Sequence, residues 1–185
     1  MSGRIRIIGG KFKGQRLKVC DVASLRPTAS RVREALFNML QFDIQGAVCL
    51  DAFAGSGAIG IEALSRGAQH ATFLEINGPA YLTLKESLQN LKISNYNLYK
   101  QDCLNYLTNC TEKFDIIFID PPFKRDLWSK CLEIIYEKNC LNDNGIVYLE
   151  APSPIVINDE HWFEKKSNKV AGVYYSLCQI IHPKS

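Results

Sequence analysis

Residues 50–60, Leu50-Asp51-Ala52-Phe53-Ala54-Gly55-Ser56-Gly57-Ala58-Ile59-Gly60, set one carboxylate ahead of three glycines spaced G-x-G-x-x-G. Glycines at such spacing let the backbone approach a ligand closely, because any Cβ there would collide with it. Glu75 lies twenty residues after Gly55, where an acid at the end of a second strand can grip ribose hydroxyls. A nicotinamide dinucleotide would use these letters, and an oxidoreductase is one reading. Asp51 favours another ligand: a carboxylate beside the turn is a poor neighbour for a pyrophosphate and a good one for an ammonium and a sulfonium. S-adenosyl-L-methionine carries both. Phe53 in the turn and Ile76 after Glu75 join Asp51, Gly55, Gly57 and Glu75 as expected cofactor contacts.

A second group, Asp120-Pro121-Pro122-Phe123, follows the apolar run Phe114 to Ile119. Two prolines stiffen the chain and withhold two N–H donors, which leaves carbonyls and the Asp120 carboxylate to face a ligand as acceptors. An exocyclic amine of a nucleobase is a matching donor. Its lone pair is delocalised into the ring, so acceptors at Asp120 and at the Pro121 carbonyl would orient it and stabilise positive charge developing on nitrogen. Phe123 would stack on the base. These three residues are the expected catalytic set; the acceptor loop alone suits guanine N2, adenine N6 or cytosine N4 equally.

Asp102 has two readings of equal weight: acceptor for an adenine amino group, with the Cys103 N–H donating to the ring, or N-cap of a short helix from Leu104. No Pro-Cys arrangement supports attack by a cysteine on a pyrimidine ring. Seven cysteines without a C-x-x-C pair signal neither a disulfide framework nor zinc, and three dispersed histidines show no ligand spacing, so no metal is expected.

Stepping outward from these groups, 185 residues at 46% apolar and 22% charged make one soluble domain. No apolar run reaches the ~20 residues that span a bilayer, which implies a cytoplasmic protein with no membrane partner. The net charge of +3 conceals an asymmetry: residues 1–33 carry +8 and the remaining 152 carry −5. The N-terminal part should touch a polyanion, through Arg4, Arg6, Lys11, Lys13, Arg16, Arg26 and Arg31. Residues 1–25 read as a basic extension with strand-like pieces at Arg4 to Ile8 and Arg16 to Val19, and residues 26–185 as the catalytic domain.

A helix is expected from about Thr28, because Val32, Ala35, Leu36, Met39 and Leu40 share one face. From Ala47 strands and helices alternate, which argues for a parallel sheet covered on both sides. Strands are expected at Ala47 to Ala52, His70 to Glu75, Asn97 to Lys100, Phe114 to Asp120 and Ile146 to Glu150, with helices at about Gly57 to Arg66, from Pro79, and at Leu127 to Glu137. Asn142 to Gly145 reads as a turn. His161 to Val170 and Val173 to Ile181 should close the sheet as an antiparallel pair around Ala171-Gly172.

The chain resembles the RsmD family of bacterial methyltransferases. Three blocks carry the resemblance: Arg4 to Gly10 with Lys13-Gly14; Leu25-Arg26-Pro27-Thr28-Ala29-Ser30-Arg31-Val32-Arg33-Glu34-Ala35-Leu36-Phe37-Asn38-Met39-Leu40; and Lys169-Val170-Ala171-Gly172. Asp51 to Gly57 and Asp120 to Phe123 are shared with amino-methyltransferases in general. The resemblance implies a Rossmann-like class I methyltransferase, an α/β fold with a seven-stranded sheet of order 3-2-1-4-5-7-6 and strand 7 antiparallel. It implies S-adenosyl-L-methionine as cofactor, guanine N2 in 16S rRNA as target, and a partly assembled 30S particle as partner, met by a monomer. Arg26 and Thr28 would, by the same resemblance, approach the methionine end of the cofactor. An inactive RNA-binding relative of the fold is the remaining alternative.

Overall fold

The computed structural model describes residues 4–20, 30–122, 127–157 and 160–181. In chain order the strands are β1 (Arg4–Arg6), β2 (Arg16–Lys18), β3 (Val48–Asp51), β4 (His70–Leu74), β5 (Tyr96–Tyr99), β6 (Phe114–Ile119), β7 (Leu141–Ala151), β8 (Trp162–Val170) and β9 (Val173–Ile180). The helices are α1 (Ser30–Met39), α2 (Ala58–Ser65), α3 (Gly78–Asn90), α4 (Cys103–Thr108) and α5 (Trp128–Glu137). Seven strands form one sheet in the order β5-β4-β3-β6-β7-β9-β8, the order expected above. The first five run parallel, and β9 runs antiparallel to both β7 and β8.

Apolar side chains alternate between the two sheet faces, as a period of two requires. Cys49, Phe118, Tyr148 and Tyr175 belong to one buried cluster, with Phe37 of α1 and Ile61 of α2. Leu50, Ile117, Ile119 and Leu149 belong to the other, with Leu107 of α4 and Leu132 and Ile135 of α5. Polar signals set the helix ends: Asn77 accepts from the Ala80 N–H at 3.0 Å and Pro79 sits in the first turn of α3. Gly67, at φ 105°, follows α2 in the conformation that a helix C-terminus favours for glycine.

β7 begins earlier than its apolar run suggests. Phe114 pairs with Leu141 and Ile116 with Ile146, so residues 142–145 bulge out of the ladder, with Asn144 at φ 61°. Leu141 is 2% exposed and belongs to the core, which holds the strand start in place across the turn-like letters.

The N-terminal segment is a two-stranded hairpin packed against the domain, not a detached arm. β1 and β2 pair Arg4 with Lys18, Ile5 with Leu17 and Arg6 with Arg16. Ile5, Ile7, Leu17 and Val19 enter the main core. Glu62, fully buried on α2, accepts from the N–H groups of Ile8 (2.8 Å) and Gly9 (2.7 Å) and from Arg66 Nε (2.8 Å). Ser65 adds three links: its Oγ accepts from the Phe12 N–H and donates to the Gly9 carbonyl, and its own carbonyl accepts from the Lys11 N–H. A Cβ at Gly10, which is at φ 72°, would stand 1.8 Å from that carbonyl oxygen. Removing Glu62 strands two part-buried N–H groups and a guanidinium. Glu62→Ala should therefore lower unfolding free energy by about 3 kcal/mol in a urea titration. A change below about 0.5 kcal/mol would mean that the apolar side chains alone hold the hairpin.

Candidate active site

Strands β3 and β6 are neighbours, and β4 lies on the other side of β3, so the chain reverses its direction of progress across the sheet between them. Open α/β sheets bind ligands at the carboxyl ends of strands around such a point. Asp51 ends β3, Asp120 follows β6 and Glu150 nears the end of β7. Asp51 pairs with Phe118 and Phe118 with Tyr148; Asp120 and Glu150 stand two residues beyond these last two. All three carboxylates therefore project from the same sheet face, the one that carries α1 and α2.

Asp51 is 3% exposed, and its Oδ2 accepts from the Gly60 N–H at 2.9 Å. A Cβ at Gly60 would fall 3.0 Å from that oxygen and 2.3 Å from the Phe73 ring, so glycine permits both the hydrogen bond and the seating of α2 on β4. Gly55 (φ 52°) and Gly57 (φ 74°) shape the intervening turn in the left-handed region. Glu75 ties this turn to the start of α3: Oε2 accepts from the Gly55 N–H at 2.7 Å and Oε1 from the Asn77 N–H at 2.6 Å. Burial raises its pKa against those hydrogen bonds. Phe53 is half-buried, whereas Ile76, beside Glu75, is 64% exposed.

Asp102 takes the capping role. Its Oδ1 accepts from the Asn105 N–H at 3.1 Å at the start of α4. Cys103 is buried with its Sγ 3.8 Å from Cys131 Sγ, and hydrogen bonding to that thiol, with burial, pushes its own pKa up. A thiol so placed is a packing group. Asp120 is half-exposed and Pro121 buried. Phe123, Thr28 and Arg26 lie outside the described residues.

Glu150 was not anticipated from the sequence. It is 4% exposed, and the Tyr148 hydroxyl donates to its Oε2 at 2.9 Å. Burial, followed by the nearby charge of Asp120, pushes it up to about 8. Its signal was available: like Asp51 and Asp120, it is a lone acid closing an apolar strand.

The basic residues divide into three groups. Arg4, Arg6 and Arg16 are exposed on the outer face of the β1–β2 hairpin, and Arg31 is exposed in the first turn of α1. Lys11 and Lys13 sit in the hairpin's turn, which the Lys11–Ser65 bond (2.7 Å) pins to the C-terminal end of α2. Because α2 leads away from the glycine turn, those two lysines stand at the far end of the sheet from Asp51. Arg33, counted in the N-terminal charge, is 1% exposed and donates to the Arg6 carbonyl at 2.8 Å. Burial lowers its pKa, while the charge of Glu62 opposes this.

Burial pushes Asp51 up from 3.8 to about 7, with Asp120 and Glu75 adding to the effect and the Gly60 hydrogen bond opposing it. A carboxyl whose pKa is higher in the folded than in the unfolded chain stabilises the fold below the unfolded value, and that contribution is lost as pH rises through the folded value. Asp51 and Glu150 thus predict that the ligand-free protein loses thermal stability as pH rises from about 4.5 to about 8. A cationic ligand beside Asp51 would offset the loss, so its stabilising effect should be larger at pH 8 than at pH 6 in thermal melts. Equal ligand-induced shifts at both pH values would contradict a charge-based contact.

Residues 5–179 match the family described as Conserved hypothetical protein 95. A protein of Escherichia coli strain K12 called "Ribosomal RNA small subunit methyltransferase D" is 42% identical over 180 residues, covering 96% of this chain and 91% of its own. The protein of that name from Buchnera aphidicola subsp. Baizongia pistaciae is 37% identical over 182 residues, covering 96% and 93%. The solved structure of yhhF from Escherichia coli superposes with a TM-score of 0.86 at 37% identity, covering 96% of this chain and 98% of that one. Sequence blocks, strand order and near-full-length matches agree: the chain belongs to the Conserved hypothetical protein 95 family, the RsmD family that its sequence resembles.

Proposed function

We propose that this protein methylates the N2 amine of a guanine in 16S rRNA, within a partly assembled 30S particle, using S-adenosylmethionine. One observation carries the reading: Asp51 and Asp120 project from one sheet face at the ends of adjacent strands. The residues around Asp51 fit the cofactor. A buried carboxylate suits its cationic end, the left-handed glycines leave space for close approach, and Glu75 with exposed Ile76 suits a ribose and the edge of an adenine. Asp102 keeps one carboxylate oxygen beyond its capping bond, and the Cys103 backbone adds a donor for the adenine ring.

Bound there, S-adenosylmethionine supplies a methyl group made electrophilic by its cationic sulfur. Asp120 and the Pro121 carbonyl accept the two hydrogens of the amine, which turns the nitrogen lone pair away from them and toward the Asp51 side. The same acceptors stabilise positive charge on nitrogen as the new bond forms, and Asp120 takes the released proton. Positioning comes first, because a neutral amine does not need to lose a proton before it attacks. Phe123 stacks on the base, and Arg26 and Thr28 approach the methionine end. The segment 1–25, through Arg4, Arg6 and Arg16, and Arg31 of α1 hold the RNA backbone, and Lys11 and Lys13 reach RNA farther from the target. The name of these relatives, small-subunit rRNA methyltransferase, supports this substrate class.

Incubating the protein with labelled cofactor and 30S precursor particles, followed by nucleoside mass spectrometry of the 16S rRNA, tests the proposal. N2-methylguanosine is expected. Label found only in N6-methyladenosine or N4-methylcytidine would assign the acceptor loop to another amine.

A further inference from the structure

The long hairpin β8–β9 closes the sheet at the edge away from β1–β2. Ala151, which ends β7, pairs with Tyr174, and Tyr174 in turn pairs with Lys169. The turn of this hairpin therefore projects from the same end of the sheet as Asp51, Asp120 and Glu150. Ala171 (φ 51°) and Gly172 (φ 84°) are both left-handed, as a tight two-residue turn requires, and a Cβ at Gly172 would meet nothing within 4 Å. The tip stands in solvent.

β8 is an exposed edge strand. Residues 163–169 are all exposed, and they include Lys165, Lys166 and Lys169 against one acid, Glu164. Glu164 is occupied by the hydroxyls of Ser176 (2.6 Å) and Ser167 (3.0 Å). By the alternation of the strand, Lys166, paired with Leu177, lies on the face that carries Asp51, and Lys169, paired with Tyr174, lies on the other, in a part of the chain, residues 34–185, that carries −5 overall. Lys165 faces Asp43 at 3.9 Å, while Lys169 Nζ lies 3.0 Å from the Tyr174 hydroxyl and 4.6 Å from the centre of its ring. An ammonium held against a half-buried aromatic ring is ordered before any partner arrives. Lysines on an edge strand also discourage edge-to-edge pairing. That role accounts for charge anywhere along β8, but not for a lysine held on an aromatic ring beside the turn at the catalytic end.

We propose that the β8–β9 hairpin is a second RNA-backbone contact, in which Lys166 and Lys169, the latter positioned by Tyr174, engage phosphates flanking the target nucleotide. The proposal rests on the reading that RNA is the substrate, and it adds the element that holds the strand on the side of the sheet opposite the basic N-terminal hairpin. Two grips on either side of the catalytic end would fix the direction in which the strand crosses Asp120.

The test uses the full chain and 30S precursor particles. Binding is measured across a salt series for the wild type, the double variant Lys166→Ala with Lys169→Ala, and the control Lys165→Ala. Each lost phosphate contact lowers the slope of log affinity against log salt by about 0.7–0.9, so the double variant should lose about 1.4–1.8. KM for RNA should rise about tenfold, with kcat and cofactor affinity unchanged. Lys165→Ala should behave as wild type. An unchanged slope and KM in the double variant would overturn the proposal, as would self-association in place of weaker RNA binding, or an equal loss in the control. Methyl transfer to guanine by the wild type reads the proposed function separately, since the difference between salt slopes reports on the hairpin whether or not that base is the target.

Discussion

Asp120→Ala should lower the rate of methyl transfer by about 10²–10⁴ while leaving cofactor affinity within about threefold. The size follows from what the side chain is asked to do: it holds the amine in a reactive orientation and faces the charge that grows on nitrogen, two effects absent from cofactor binding. Asp120→Asn should fall between the two, because an amide keeps an acceptor oxygen but loses the negative charge and can present a donor to a donor. Removing the Asp120 charge should also ease the upward pull on Glu150, so the Glu150 titration should move down from about 8. Single-turnover rates with saturating cofactor, paired with calorimetry, separate the effects. A variant with wild-type single-turnover rate would remove Asp120 from the chemistry.

Asp51→Asn should weaken S-adenosylmethionine binding by about 100-fold or more. Two unit charges about 4 Å apart at an effective dielectric of about 20 interact by about 4 kcal/mol, and most of that depends on the carboxylate. The amide keeps an oxygen for the Gly60 N–H, so the turn should survive. The variant should also melt at a temperature that depends less on pH than that of the wild type, because it removes a buried carboxyl held up to about 7. A lowered melting temperature with intact affinity would make Asp51 a structural residue alone.

Much of this architecture was legible in the letters, for identifiable reasons. The apolar runs ending in Asp51 and Asp120 are strands because they are buried on both faces, and glycine at 55 and 57 has a conformational use that the structure displays. The strand order came from the resemblance, since spacing alone cannot tell which neighbour a strand takes. Besides Glu150, three things escaped. Leu141 belongs to β7 because of a partner, Phe114, twenty-seven residues away, and no local pattern reports that pairing. Glu62 reads as an ordinary acid on a helix, yet it is fully buried and anchors Ile8 and Gly9; the clue was its isolation within Ala58-Ile59-Gly60-Ile61-Glu62-Ala63-Leu64. Arg33 contributes to the basic charge of residues 1–33, although its position on α1 directs it under the hairpin to the Arg6 carbonyl. In the last two cases a charged residue serves as an internal hydrogen-bonding partner, which net charge cannot distinguish from a surface role. Asp102 offered two roles in advance, and its bond to the Asn105 N–H shows the capping one.

A crystal structure of the protein with S-adenosylhomocysteine and a short guanine-containing RNA tests the central claim most directly. The account predicts one continuous cavity, with the ligand sulfur on the Asp51 side and guanine N2 within hydrogen-bonding distance of Asp120, aligned toward the sulfur. A ligand seated by Asp51 with the base bound in a separate cavity, or on a face from which Asp120 is out of reach, would contradict it.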